Sequence, residues 1–178
     1  TGEFEWTPAY DQRGIYEITF FVENQSQQVT QTATITVLNA NGAPAFDPIS
    51  SWLVAEGQEI RIDLFALDPD NPDFRLPVRL SDDTLDWSQS NGTPTVTYTV
   101  SGLPEGAVFD PDTAILSWQT DYEDAGTYQV TFTATDDGDG TGHPLTAVLT
   151  IPITVFNVNQ RPEVIPIVNQ HIGYGQTV

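Results

Sequence analysis

The sequence predicts an all-β chain, a two-layered β-sandwich built in tandem repeats. Three observations carry that prediction: apolar residues alternate with period two, turn-forming clusters punctuate them at regular spacing, and one stretch of pattern occurs twice. No segment shows a convincing helical period.

The recurrence comes first along the chain. FEWTPAYDQRGIYEITF (4–20) overlays LSWQTDYEDAGTYQVTF (116–132) without a gap, so that Trp6 falls on Trp118, Gly14 on Gly126, Tyr16 on Tyr128 and Phe20 on Phe132. ITVLNANGAPAFDPI (35–49) likewise overlays ITVFNVNQRPEVIPI (153–167), with Pro44 on Pro162. A period of roughly 115 residues means tandem domains. The expected division is residues 1–41 as the closing strands of one repeat, 42–159 as a whole repeat, and 160–178 as the first strand of the next. Both ends of the chain then look like cuts in something longer. Pro44 and Pro162 each follow an Asn-x-Asn segment, which suits a short stiff linker.

Within the whole repeat, EIRIDLFAL (59–67) points Ile60, Ile62, Leu64 and Ala66 to one side. TVTYTV (95–100), AILSW (114–118) and AVLTIPITVFNV (147–158) read as further strands. Between the last two, Tyr128, Val130, Phe132 and Ala134 face one way and Gln129, Thr131, Thr133 and Thr135 the other. DPDNPD, SNGTP, LPEG, DPDT and GDGTG supply the turns. The run Asp124-Ala125-Gly126-Thr127-Tyr128-Gln129-Val130 resembles the tyrosine corner of immunoglobulin domains, with Val130 in place of the disulfide cysteine. That resemblance implies an immunoglobulin-like Greek-key sandwich and a structural role for Tyr128.

Composition narrows the partners. The chain holds 25 acidic and 5 basic residues in 178, a net charge of −20. Nucleic acid and anionic membrane surfaces are poor partners for such a chain, and divalent cations are good ones. There is no cysteine, which excludes disulfides, thiolate metal sites and a cysteine nucleophile. No apolar run approaches a membrane span.

The acids are placed by strand order. The second and sixth strands of such a sandwich run the same way, so ALDPD (66–70) and ATDDGDG (134–140) end at one pole. Asp68, Asp70, Asp136, Asp137 and Asp139 gather there, where Asn39-Ala40-Asn41 brings the chain in; Asp11 in the opening piece joins this set. At the other pole lie Glu56, Asp121, Glu123 and the outgoing Asn157-Val158-Asn159. Carboxylates ~5 Å apart repel by roughly 3 kcal/mol at an effective dielectric of ~20. Either they fan into solvent, or a cation collects them; Ca²⁺, taking six to eight oxygens, suits such a set better than Mg²⁺.

These residues resemble calcium-binding cadherin repeats in the position of Glu56, in Asp121-Tyr122-Glu123 ahead of Tyr128, in Ala66-Leu67-Asp68-Pro69-Asp70 and in Ala134-Thr135-Asp136. The linker NVNQRP is one residue shorter than the family's and carries Asn at its first Asp position. GLPEGAVFDPDTAILSW and AGTYQVTFTATD look still more like the cadherin-like and immunoglobulin-like repeats of large bacterial surface proteins. The likeness covers the middle repeat apart from about 74–95. It implies a non-catalytic, extracellular or cell-surface structural repeat, adhesin-like, rigidified by Ca²⁺ at junctions with neighbouring repeats of the same chain.

Two other readings stay open. Trp52 and Trp87 have no repeated counterpart, and Trp87 stands in the polar insertion SDDTLDWSQSNGTP, where an exposed ring could bind a glycan or another protein. Alternatively, unpaired edges in the incomplete end pieces could be completed by other subunits in a strand-exchanging filament. An enzyme has little support: His143 and His171 are the only histidines and no G-x-S-x-G elbow is present.

Overall fold

The computed structural model describes residues 2–71, 74–166, 169, 171 and 173–175. All regular structure among them is β. The opening piece is a long hairpin, β1 (Gly14–Glu23) against β2 (Gln28–Val37), in register from Gly14↔Val37 to Glu23↔Gln28. Its turn is closed by Asn24, whose side-chain oxygen accepts from the amides of Ser26 and Gln27 at 3.0 Å each.

The rest is one sandwich. Its elements are β3 (Ala45–Phe46), β4 (Trp52–Ala55), β5 (Glu59–Asp63), β6 (Ala66–Leu67), β7 (Val78–Arg79), β8 (Leu85–Asp86), β9 (Thr97–Ser101), β10 (Val108–Asp110), β11 (Ile115–Gln119), β12 (Gly126–Thr135) and β13 (Thr146–Phe156). One sheet runs β4-β13-β12-β9 and the other β10-β11-β5, with small pairs β3-β6 and β7-β8 beside them. Strand β4 joins β13 in parallel, Trp52 opposite Ile153, so the repeat's first long strand lies beside its last.

Period-two alternation builds the core. Ile60, Ile62, Leu116 and Trp118 of one sheet meet Val130, Phe132, Ile151, Ile153 and Val155 of the other, all 3% exposed or less. The expected strand 59–67 divides in two: the chain leaves the β5 ladder at Leu64-Phe65 and re-pairs with β3 as β6, while Leu64 and Ala66 still point inward. Asp63 and Phe65, on the face expected to be outward, are buried as well. The insertion covers them: Arg79 donates to Asp47 Oδ2 at 2.5 Å and to the carbonyls of Asp83 and Asp63 at 2.6 and 2.9 Å. Phe65, Phe74 and Trp87 close the aromatic cluster beneath it.

The duplicated motif has duplicated geometry. Trp118 meets Tyr128 edge-on with ring centroids 5.0 Å apart, and Trp6 meets Tyr16 edge-on at 4.7 Å. Tyr128 donates its hydroxyl to the Asp124 carbonyl at 2.8 Å; Tyr16 does the same to Gln12 at 2.9 Å. Burial differs between the copies. Phe132 is fully buried, whereas its counterpart Phe20 is 45% exposed and Trp6 only half-buried. The strand expected within 160–178 runs over residues 167, 168, 170, 172 and 176–178, which lie outside the described residues; 160–166 form no strand.

Candidate functional site at the near pole

The near pole is where the hairpin's linker enters the sandwich. Strand β12 ends at Thr135, and the next residues turn sharply through left-handed backbone: Gly138 at φ 80°, Asp139 at 43°. A Cβ on Gly138 would stand 3.0 Å from the Pro144 nitrogen, so the loop folds closely on itself. That fold aims three donors at one oxygen. Asp136 Oδ1 accepts from Gly138 N and Leu145 N at 2.9 Å each, and from Asn41 Nδ2 at 3.0 Å.

The β6 turn supplies the second acid pair. Asp68 Oδ1 accepts from Asp70 N at 3.0 Å, and Asp68 Oδ2 accepts from the Thr95 hydroxyl. Asp70 Oδ2 accepts from Gly42 N at 2.6 Å. The linker reaches in from the other side: Asn39 Nδ2 donates to the Asp139 carbonyl at 2.7 Å, and Asn41 Nδ2 donates to the His143 carbonyl at 3.0 Å. Because the partners of both amides can only accept, each amide nitrogen must face them and each amide oxygen must face away.

Four side-chain oxygens are thereby left buried without a partner among the described residues: Asn39 Oδ1, Asn41 Oδ1, Asp70 Oδ1 and Asp136 Oδ2. Buried polar atoms are normally bonded, so four orphans of one kind at one pole require an explanation. Asp70 registers the strain. Burial pushes its carboxyl above the ordinary 3.8, the Gly42 hydrogen bond partly offsets this, and the charges of Asp68, Asp139 and Asp136 raise it further.

The residues expected at this pole are thus largely assembled. Asp68, Asp70, Asp136, Asp139, Asn39 and Asn41 meet there, and Asp11 lines a cavity of about 180 Å³ with Tyr10, Arg13, Asp70 and Asp139. Asp137 differs: it is exposed, and its carboxylate caps the Asp139 amide at 2.9 Å. Three contributors were not anticipated. Gly42 leaves no room for a side chain against Pro69 and Tyr10, Arg13 approaches Asp139 Oδ2 at 3.8 Å, and Thr95 holds Asp68. Only the Asn-Gly-x-Pro pattern of the linker could have signalled the first.

The far pole is built differently. Glu56 is buried, but both its oxygens are used, accepting from Ala125 N at 3.0 Å and Val158 N at 2.6 Å. Asp121 caps the Glu123 amide at 2.7 Å, and Asp121, Glu123, Asn157 and Asn159 are exposed. Among the described residues, no group of three or more Asp, Glu, His or Cys forms a ready-made metal cluster at either pole. The orphaned set at the near pole is instead mixed, two carboxylate oxygens with two amide oxygens.

Of the two tryptophans considered for ligand binding, Trp52 is half-buried against the core, because β4 lies in the sheet beside β13. It also lines a cavity of about 360 Å³ with Ile49, Ser51, Arg79 and Asp83. Trp87 is 43% exposed and lines a cavity of about 430 Å³ with Phe65, Tyr98, Arg61, Asp63 and Asp112 among others.

Among the described residues, no helix is long and apolar enough to cross a membrane. Among curated proteins, none matches the chain. Among solved structures it is similar to human protocadherin-24 EC1-2, at 15% identity and TM-score 0.47 over 85% of this chain and 70% of that one. It is also similar to mouse cadherin-23 EC22-24, at 19% identity and TM-score 0.45, covering 83% of this chain and 44% of that one. An α-galactosidase/melibiase structure, described as putative, from Bacteroides fragilis NCTC 9343 matches at 16% identity and TM-score 0.42, over 65% of this chain. The chain spans only 18% and 19% of that structure and of a second structure from the same organism, also described as a putative α-galactosidase. At these identities the likeness is one of strand layout alone. A family model described as Putative Ig domain matches residues 48–159, well over half of the chain, and the chain therefore belongs to the putative Ig domain family.

Proposed function

We propose that this chain is a non-catalytic structural repeat of an extracellular or cell-surface, adhesin-like protein, in which Ca²⁺ at the junction between consecutive repeats stiffens the chain. The observation that carries this reading is the set of orphaned buried oxygens: Asn39 and Asn41 from the linker, Asp70 and Asp136 from the sandwich. Their chemistry fits a hard cation with oxygen ligands, and they come from both sides of the joint. Asp68 and Asp139 add negative charge nearby. A bound cation would replace repulsion among these acids with coordination and tie the hairpin to the sandwich.

Extracellular modules bind Ca²⁺ with Kd of ~10⁻⁴–10⁻³ M, and a tenfold excess over Kd adds about 1.4 kcal/mol per site. The test is to measure melting temperature and hydrodynamic radius in chelator and in millimolar Ca²⁺. A higher melting temperature with a changed radius supports the clamp. Neither quantity moving overturns the clamp.

A second reading is favoured by one observation, the Trp87 cavity, where an aromatic ring stands near the Arg61–Asp63 pair. It would make the module a glycan binder. Glycan-array binding that is lost in Trp87→Ala would support it.

A further inference from the structure

The chain contains two Asn-Gly sequences, Asn41-Gly42 and Asn91-Gly92, and the fold treats them oppositely. Asn91 and Gly92 are both exposed on the insertion. Asn41-Gly42 lies in the joint: Gly42 is buried, its N–H is donated to Asp70 Oδ2 at 2.6 Å, and the Asn41 amide nitrogen bridges Asp136 Oδ1 and the His143 carbonyl.

Asn-Gly is the dipeptide most prone to self-deamidation, because glycine puts no side chain in the way of ring closure. The following backbone nitrogen loses its proton to water or hydroxide and attacks the asparagine Cγ. A C–N bond forms, the side-chain nitrogen leaves as ammonia, and a five-membered succinimide results. Water then opens the ring at either carbonyl, leaving an aspartyl or an isoaspartyl residue. The net change is amide plus water to carboxylic acid plus ammonia.

We propose that Asn41 is a latent deamidation site gated by the joint. With the joint closed, the proton that must be lost is held by a carboxylate, the nucleophilic nitrogen is shielded from water, and the Cγ amide is fixed by two acceptors. Opening the joint removes all three protections at once. Conversion is then irreversible: it deletes the amide bridge to Asp136 and His143 and sets a new negative charge against Asp136. On the calcium reading of the site, the joint would thereafter depend more strongly on cation; that consequence rests on the reading above, whereas the gating does not.

The experiment is run in chelator, so that it stands apart from any calcium effect. The intact chain is incubated in mildly alkaline buffer, folded and in urea, and both positions are followed by peptide mapping with isoaspartate detection. In urea the two sites convert at similar rates. In the folded chain Asn91 converts within a few-fold of its urea rate, and Asn41 converts slower by on the order of tenfold or more, the scale set by a hydrogen bond to a charged group. Asp70→Ala speeds Asn41 without changing Asn91. Tyr10→Ala, which loosens the packing on Gly42 while removing none of the hydrogen bonds described for Asn41 and Gly42, does the same should Asp70→Ala not fold. Equal rates at the two sites in the folded chain would overturn the proposal, as would a slow Asn41 in both folded variants.

Discussion

The side-chain amide of Asn41 donates to Oδ1 of Asp136 across 3.0 Å, joining two residues 95 positions apart. One belongs to the linker and the other to the end of a core strand. That bond makes the hairpin and the sandwich share a polar joint, and it leaves Asn41 Oδ1 and Asp136 Oδ2 together in the orphaned set. The same contact therefore organises the joint and leaves one oxygen of each residue buried without a partner.

Asp136→Ala strands three donors, the amides of Gly138 and Leu145 and the side chain of Asn41. A buried donor left without its partner costs ~1–3 kcal/mol, and water recovers part of this at the partly exposed linker. Urea denaturation should show a loss of about 3 kcal/mol for the sandwich. On the calcium reading, the rise in melting temperature on adding Ca²⁺ should vanish with it.

Asp70 gives the joint an unusual pH response. Its folded carboxyl titrates above 3.8, raised first by burial and then by the charges of Asp68, Asp139 and Asp136. The folded state therefore holds this proton more tightly than the unfolded chain, so the group's contribution falls as pH rises through that window. In chelator, stability attributable to Asp70 should increase as pH is lowered from neutral through the raised value towards 3.8. Asp70→Asn should flatten that segment of a urea-midpoint-against-pH curve and, on the calcium reading, abolish the response to Ca²⁺. A wild-type curve identical to the variant's would refute the assignment.

Gly42→Ala tests the packing of the joint. A Cβ there would lie 2.8 Å from Pro69 Cγ and 3.1 Å from the Tyr10 ring. Overpacking typically costs ~1–3 kcal/mol. Here the strain can be relieved by moving the hairpin away, so the larger effect is expected in hydrodynamic radius and in protease access to the linker, with the sandwich's own melting little changed.

Tyr128→Phe removes the hydroxyl that closes the corner on the Asp124 carbonyl at 2.8 Å. Its loss should cost about 1 kcal/mol in urea denaturation, the usual net worth of such a bond. The equivalent Tyr16→Phe breaks a bond of nearly the same length to Gln12, part-buried like the first, and a similar cost to the hairpin is expected.

Trp87→Ala distinguishes a binding ring from a structural one. The indole packs edge-on against Phe65 at 6.0 Å while remaining 43% exposed. Loss of about 1–2 kcal/mol is expected from its buried half. Loss of glycan binding in addition would mark the cavity as a site.

Local pattern was enough for the sandwich, the duplicated Trp–Tyr corner and the two poles. Alternation decides which face of a strand is buried, and a shared strand direction decides which turns meet. The status of Trp52 and Asp63 was not legible in the same way. Trp52 is half-buried because β4 pairs with a strand roughly a hundred residues later, and Asp63 is buried because the insertion, anchored by Arg79, closes over the face that alternation assigns to water. Nor could spacing distinguish the two sets of acids. At the far pole backbone amides saturate the Glu56 carboxylate, whereas at the near pole the linker amides satisfy some oxygens and seal others in without a partner. Periodicity is a property of neighbours along the chain, but hydrogen-bond satisfaction depends on which distant donors the folded chain brings within 3 Å.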